Sequence, residues 1–153
     1  MMATRLQKLR ALAPADRGLL LEAAALIVLL RTGLRVLRFP TVEYLLHRWA
    51  YRTSTLRLPP ARIAWAIHAV GARLSGTTCL VEALAAHGML RRHGAMPTLK
   101  IGVRRGAMMA LDAHAWVECE GTVVVGTTPA LAEYSVLVVP YTQKMVSDTF
   151  FGV

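Results

Sequence analysis

The sequence predicts an α+β chain: a helical layer first, then one further helix packed on a small antiparallel sheet. Three observations predict it. Apolar residues recur at helical spacing as far as about His93. Gly94 then interrupts the pattern where a left-handed helix cap is wanted. After it the period falls to two, with Leu99, Ile101 and Val103 alternating with Thr98, Lys100 and Gly102.

Taken in order, Pro14 suits a first helical turn, and Ile27, Leu30, Leu34 and Leu37 make one apolar stripe beside Arg31, Arg35 and Arg38. Each of those arginines reads first as part of a solvated helix face. The apolar run Leu19 to Leu30 is interrupted by Glu22. It falls short of the roughly 20 apolar residues a membrane span needs. It is expected to be a buried helix rather than an interfacial one, with partner docking as the next reading. Pro40 is expected to end this element and Thr41 to cap the next, which turns Val42, Leu45, Leu46 and Trp49 inward. Tyr51 to Pro60 is a connector rich in Thr, Ser and Pro. A third helix is predicted from Ala61 to about Leu74, with Ile63, Ile67 and Val70 on its apolar side, and a fourth from Cys79 to about His93.

Beyond the first strand, Arg104-Arg105-Gly106 is expected to turn the chain. Leu111 to Cys119 and Thr122 to Thr127 read as strands joined at Glu120-Gly121, and Ser135 to Val139 as a last strand before a tail. At 153 residues the chain is long enough to bury a core. We expect a single domain over 1–153, with a helical part over 1–74, a core over 75–140 and a tail over 141–153.

Composition narrows the partners. The chain is 55% hydrophobic with a mean hydropathy of +0.44. The basic first segment is not followed by the short apolar core and small-residue cleavage site of a secretory signal. Net charge is +9, unevenly spread: residues 1–60 hold ten basic and three acidic groups, whereas 107–153 hold one basic and five acidic. Such a surface attracts nucleic acid, anionic lipid or an acidic protein. Few aromatics and no basic-aromatic motif leave nucleic acid unsupported. A membrane surface is possible but not favoured. Cys79, Cys119 and the five histidines fit neither a disulfide framework nor a zinc spacing, so no metal and no cofactor is expected.

Two residues carry potential chemistry. Gly76-Thr77-Thr78 leads into the helix that starts at Cys79, which places the sulfur at the positive end of the helix dipole and favours the thiolate. His114 follows 35 residues later in a strand-like segment. A helix-borne thiol facing a strand-borne imidazole is a working arrangement for acyl transfer. The plainer reading is that a lone cysteine in an apolar chain is a small core residue and a lone histidine a satisfied one. Cys119 alternates away from the His114 face and reads as packing.

The ordered set Cys79-Leu80, Ala83, Leu90, Gly94, Leu99 to Val103, Ala113-His114-Ala115-Trp116-Val117-Glu118 and Gly121 resembles the lasso-peptide maturation proteases. These are leader peptidases of the transglutaminase-like superfamily of cysteine peptidases. The helical region before Cys79 is similar to the family's usual N-terminal part. The resemblance implies a transglutaminase-like core, with Cys79 as nucleophile and His114 as general base and acid. Family members often place an aspartate about twelve residues after the histidine, where this chain has Gly126. The third group is therefore open between Asp112, two residues from His114 on the same strand face, Thr127, and a backbone carbonyl. Glu118 lies about 13 Å along the strand, too far to orient His114 directly.

The resemblance further implies partners: a lasso precursor peptide, a separate leader-recognition protein, and an ATP-dependent cyclase of the asparagine-synthetase type. This chain has no Gly-rich phosphate loop and no visible leader-recognition module ahead of its helices. A reducing cytoplasm would suit the free thiol. Two further readings stand beside leader cleavage. One is an acyltransferase or peptide ligase on the same Cys/His site. The other is a non-enzymatic basic protein that binds a partner, with Cys79 merely buried.

Overall fold

The computed structural model describes residues 12–52, 54, 56–106 and 110–137. Four helices come first: α1 (Pro14–Val36), α2 (Phe39–Ala50), α3 (Pro60–Gly71) and α4 (Cys79–Arg92). They are followed by β1 (Pro97–Arg105), β2 (Leu111–Cys119), β3 (Thr122–Val125), a 3₁₀ turn at Leu131–Glu133, and β4 (Ser135–Leu137). The sheet order is β3-β2-β1-β4, antiparallel throughout. This is an α+β arrangement, helical layer first and sheet second, as the sequence predicts.

The centre of the fold is α4. Val81 and every residue from Ala83 to Leu90 are buried, because α1, α2 and α3 pack around this helix and the sheet closes its remaining side. A helix enclosed on all sides has no solvent face to mark with polar residues. Small residues let its neighbours approach: a Cβ added at Gly88 would sit 2.6 Å from the Leu46 side chain of α2. Leu19, Ala23, Leu26, Ile27 and Leu30 seat α1 on this core, and Ile63, Ala66, Ile67 and Val70 seat α3. The run Leu19 to Leu30 is thus a buried helix along one side only; Leu21, Val28 and Leu29 are exposed.

Several boundaries differ from expectation. Pro40 does not end a helix; it lies in the first turn of α2, which starts at Phe39, where a missing N–H costs nothing. Thr41 is therefore inside the helix and Arg38 precedes it, with no side-chain cap. Leu45 is half exposed rather than inward, and Leu37 lies beyond α1. The third helix begins at Pro60 and ends at Gly71, short of Leu74. Arg104 and Arg105 do not turn; they complete β1, each opposite a residue of β2. The last strand is described to Leu137, and the predicted tail lies outside the described residues.

The β2–β3 connection is as predicted. Glu120 (φ 52°) and Gly121 (φ 77°) both adopt left-handed backbone, the requirement of a type I′ hairpin. A register shift follows within the pair, since Val117 faces Val125 while Glu118 faces Val123. The two faces of the sheet then diverge. Leu99, Ala115, Val117 and Val125 join the core under α4. Asp112, His114, Trp116 and Glu118 alternate to the other face. Among the described residues, no helix is long and apolar enough to cross a membrane.

Candidate active site

Cys79 is the first residue of α4, and the loop before it is tied down at each step. Arg31 of α1 donates to the Ser75 carbonyl at 2.5 Å, and its guanidinium crowds Gly76, which holds φ at 77°. Arg31 is therefore a loop anchor and not merely part of a solvated face. Thr77 Oγ1 donates to the Leu74 carbonyl at 2.8 Å. Thr78 is the N-cap, its hydroxyl accepting from the Val81 N–H at 3.4 Å. A capped helix start leaves the N–H groups of Cys79 and Leu80 outside the helical ladder, pointing along the dipole toward any carbonyl oxygen placed there. Cys79 itself is half-buried and packs against the core, whereas Cys119 is buried.

His114 lies on β2, where pairing with β3 covers only the segment from Val117 onward. Its Nε2 donates to the Gly126 carbonyl at 2.7 Å. A carbonyl only accepts, so this bond puts the proton of the neutral ring on Nε2 and leaves the Nδ1 lone pair as the basic site. Gly126 is where the family pattern expects an aspartate, and the geometry explains why a side chain is absent. The residue has φ 87°, and a Cβ there would lie 2.7 Å from the Ala115 carbonyl oxygen and 2.8 Å from Trp116 Cβ. The backbone oxygen at position 126 takes the imidazole contact instead.

Around His114 the outer sheet face carries an aromatic and charged brace. The ring stacks near Trp116, with centroids 6.2 Å apart and planes at 17°, and lies 5.4 Å from the Tyr134 ring. Trp116 is buried against Gly102, where a Cβ would come within 2.9 Å of both the indole and Tyr134 Cβ. Its Nε1 donates to Glu118 at 3.0 Å, and Glu118 pairs with Lys100 at 2.7 Å. Asp112 accepts from the Tyr134 hydroxyl at 2.7 Å and from Arg104 Nε at 2.9 Å, and Arg104 also pairs with Glu133 at 2.8 Å. These bonds, Tyr134 first and Arg104 next, hold the Asp112 carboxyl below its ordinary range.

Of the predicted residues, the structure brings Asp112 and His114 to one face without a hydrogen bond between them. No hydrogen bond joins Cys79 to His114 either: Cys79 packs with α4 against the inner side of the sheet, His114 lies on the outer face, and its Nδ1 is left without a partner among the described residues. Among the described residues, Thr127 makes no side-chain hydrogen bond. Sequence reasoning missed Tyr134 and Arg104. The run Arg104-Arg105-Gly106 looked like a turn, and Tyr134 lies 20 residues beyond His114 with no local pattern to flag it. Among the described residues, no group of three or more His, Cys, Asp or Glu side chains is placed to hold a metal ion.

Comparison with known proteins supplies a family. A sequence model described as the transglutaminase-like superfamily matches residues 24–139, from within α1 through the sheet. No curated protein and no solved structure matches the chain. The match covers most of the sequence and contains both the capped Cys79 helix and the His114 strand. The chain belongs to the transglutaminase-like superfamily, whose members are commonly cysteine-dependent enzymes.

Proposed function

We propose that this protein is a cysteine endopeptidase that removes the leader from a ribosomally made lasso-peptide precursor. What supports the chemistry is a capped helix start at Cys79 and, on the neighbouring sheet, an imidazole whose Nε2 is held by a backbone carbonyl, which leaves Nδ1 as the basic atom. In this reading Nδ1 of His114 takes the Cys79 proton and the sulfur attacks the scissile carbonyl. The oxyanion meets the Cys79 N–H at the helix start. The imidazolium then protonates the leaving amine, and a water hydrolyses the thioester with His114 acting again as base. Gly126 fixes the tautomer, and the anionic Asp112 steadies the imidazolium. This reading requires Sγ and Nδ1 to come within hydrogen-bond distance once substrate is bound.

The lasso assignment rests on the ordered residues from Cys79 to Gly121. Cytoplasmic action, a separate leader-recognition protein and a separate ATP-dependent cyclase complete the proposal. The same acyl-enzyme would serve an acyltransferase or ligase if an amine replaced water. The experiment is cleavage of a precursor followed by mass spectrometry, with and without the recognition protein. Leader and core masses from the wild type and intact precursor from a folded Cys79→Ala variant are expected. Strong stimulation by the recognition protein is also expected. Cleavage by Cys79→Ala would end the peptidase reading, and amide-linked product in place of free leader would transfer it to ligation.

A further inference from the structure

The longest helix has two apolar sides, and only one is used. The inward side of α1 seats on the core, yet Leu21, Val28, Leu29 and Val36 are at least half exposed. With Ala25 and Thr32 between them, these positions fall within an arc of about 100° at the pitch of a regular helix. From Leu21 to Val36 that makes a ridge roughly 23 Å long with no acidic residue in it. Arg35 borders the ridge and Arg38 follows it; both are exposed, and neither makes an ion pair among the described residues.

The neighbouring acids are withdrawn. Asp16 is paired with Arg62, Glu22 with Arg92 and His93, and Glu43 is buried. Over residues 12–52 no exposed carboxylate is therefore left unpaired, and the outward residues are apolar, neutral or cationic. The active-site face of the sheet is not part of this surface.

We propose that the exposed ridge of α1, with Arg35 and Arg38 beside it, docks the protein on an anionic lipid surface. An apolar stripe flanked by arginines is the chemistry of a helix lying in a bilayer interface, with side chains among the acyl chains and guanidinium groups on the phosphates. A ridge of single projecting side chains needs no matching shape from a fluid bilayer. A protein partner would have to supply a complementary groove. The absence of a spanning helix among the described residues makes the contact peripheral.

The test is flotation of the full chain with vesicles of phosphatidylcholine alone and of phosphatidylcholine mixed with phosphatidylglycerol. Binding to the mixed vesicles only is expected, weakening as salt rises. Leu21→Asp with Leu29→Asp is expected to abolish it while thermal melting by circular dichroism is retained. Arg35→Glu with Arg38→Glu is expected to weaken it by roughly 25-fold or more, about fivefold for each arginine lost. If the leucine pair does not fold, the arginine pair decides alone. No flotation with either vesicle would overturn the proposal. So would binding unchanged by the substitutions, which would reflect only the overall charge of +9. Lipid-free self-association dissolved by the leucine variants would overturn it as well, assigning the ridge to a second copy of the chain.

Discussion

The two faces of β2 are built from alternating residues of one strand, yet they obey different rules. The inner face, Ala115 and Val117, is apolar, fully buried and interchangeable in kind: what matters is volume against α4. The outer face, Asp112, His114, Trp116 and Glu118, is tied together by directed bonds, and each partner is a particular atom: the Gly126 carbonyl, the Tyr134 hydroxyl, Arg104, Lys100. Packing tolerates substitution in proportion to lost volume, whereas a hydrogen-bonded imidazole tolerates almost none. Activity and stability should therefore separate across the thickness of one strand.

The sharpest separation is expected at the reacting groups. His114→Ala and Cys79→Ala should each reduce precursor cleavage to background, and the double variant should be no worse than either, because base and nucleophile act as one unit. Cys119→Ala, on the inner-face parity, should keep most activity. A further large drop in the double variant would divide the unit. Gly126→Ala comes next. Its Cβ would push against Ala115 and Trp116 in a left-handed backbone, so both faces should suffer, with stability falling by about 1–3 kcal/mol and cleavage with it. A variant with unchanged melting and cleavage would show that the close approach at Gly126 is not needed.

Asp112→Asn is the intermediate case. Because Gly126 and not Asp112 holds the imidazole, the loss of rate should stay near tenfold; a fall on the order of 10²-fold or more would return the orienting role to Asp112. Val117→Ala should show the converse pattern, costing about 2 kcal/mol of stability with the rate per folded molecule unchanged.

The last effect is read in acid and leaves activity at neutral pH untouched. His87, buried inside α4, is pushed down to about 4, first by burial and then by Arg91 and His47. Its folded value lies below its unfolded one, so the unfolded chain binds the extra proton. Stability should fall as pH drops from about 6.5 toward 4, by up to about 3 kcal/mol from this group. Glu43, raised by burial, works in the opposite direction and offsets part of the loss. His87→Gln should flatten the acid slope in denaturant titrations. An unchanged slope would assign it to other groups.

How far the sequence foretold this structure follows the same division. Elements whose burial is periodic were legible: Ile63, Ile67 and Val70 on α3, the alternation of β2, and Glu120-Gly121 as the turn. Pro40 misled because proline both ends helices and suits their first turn, and only the chain's direction after Arg38 decides between them. The helix start at Cys79 was readable because such signals are local, although Thr78 was not singled out as its cap. The contact between His114 and Gly126 was not, since any residue supplies a carbonyl and nothing in the letter Gly announces it. Tyr134 and Arg104 were illegible for the related reason that their meeting at Asp112 depends on register: Arg104 lies opposite Asp112 in β1–β2, and Tyr134 arrives with β4 pairing on β1.

The central claim is that Cys79 and His114 act as one unit although α4 and the outer sheet face meet the strand from different sides. Timed alkylation at neutral pH with iodoacetamide, followed by peptide mapping, tests it most directly. The account predicts that Cys79 in the folded wild type is labelled quickly, that His114→Ala slows this labelling markedly without lowering the melting temperature, and that buried Cys119 stays unlabelled in both. Equal labelling rates at Cys79 with and without His114 would contradict it.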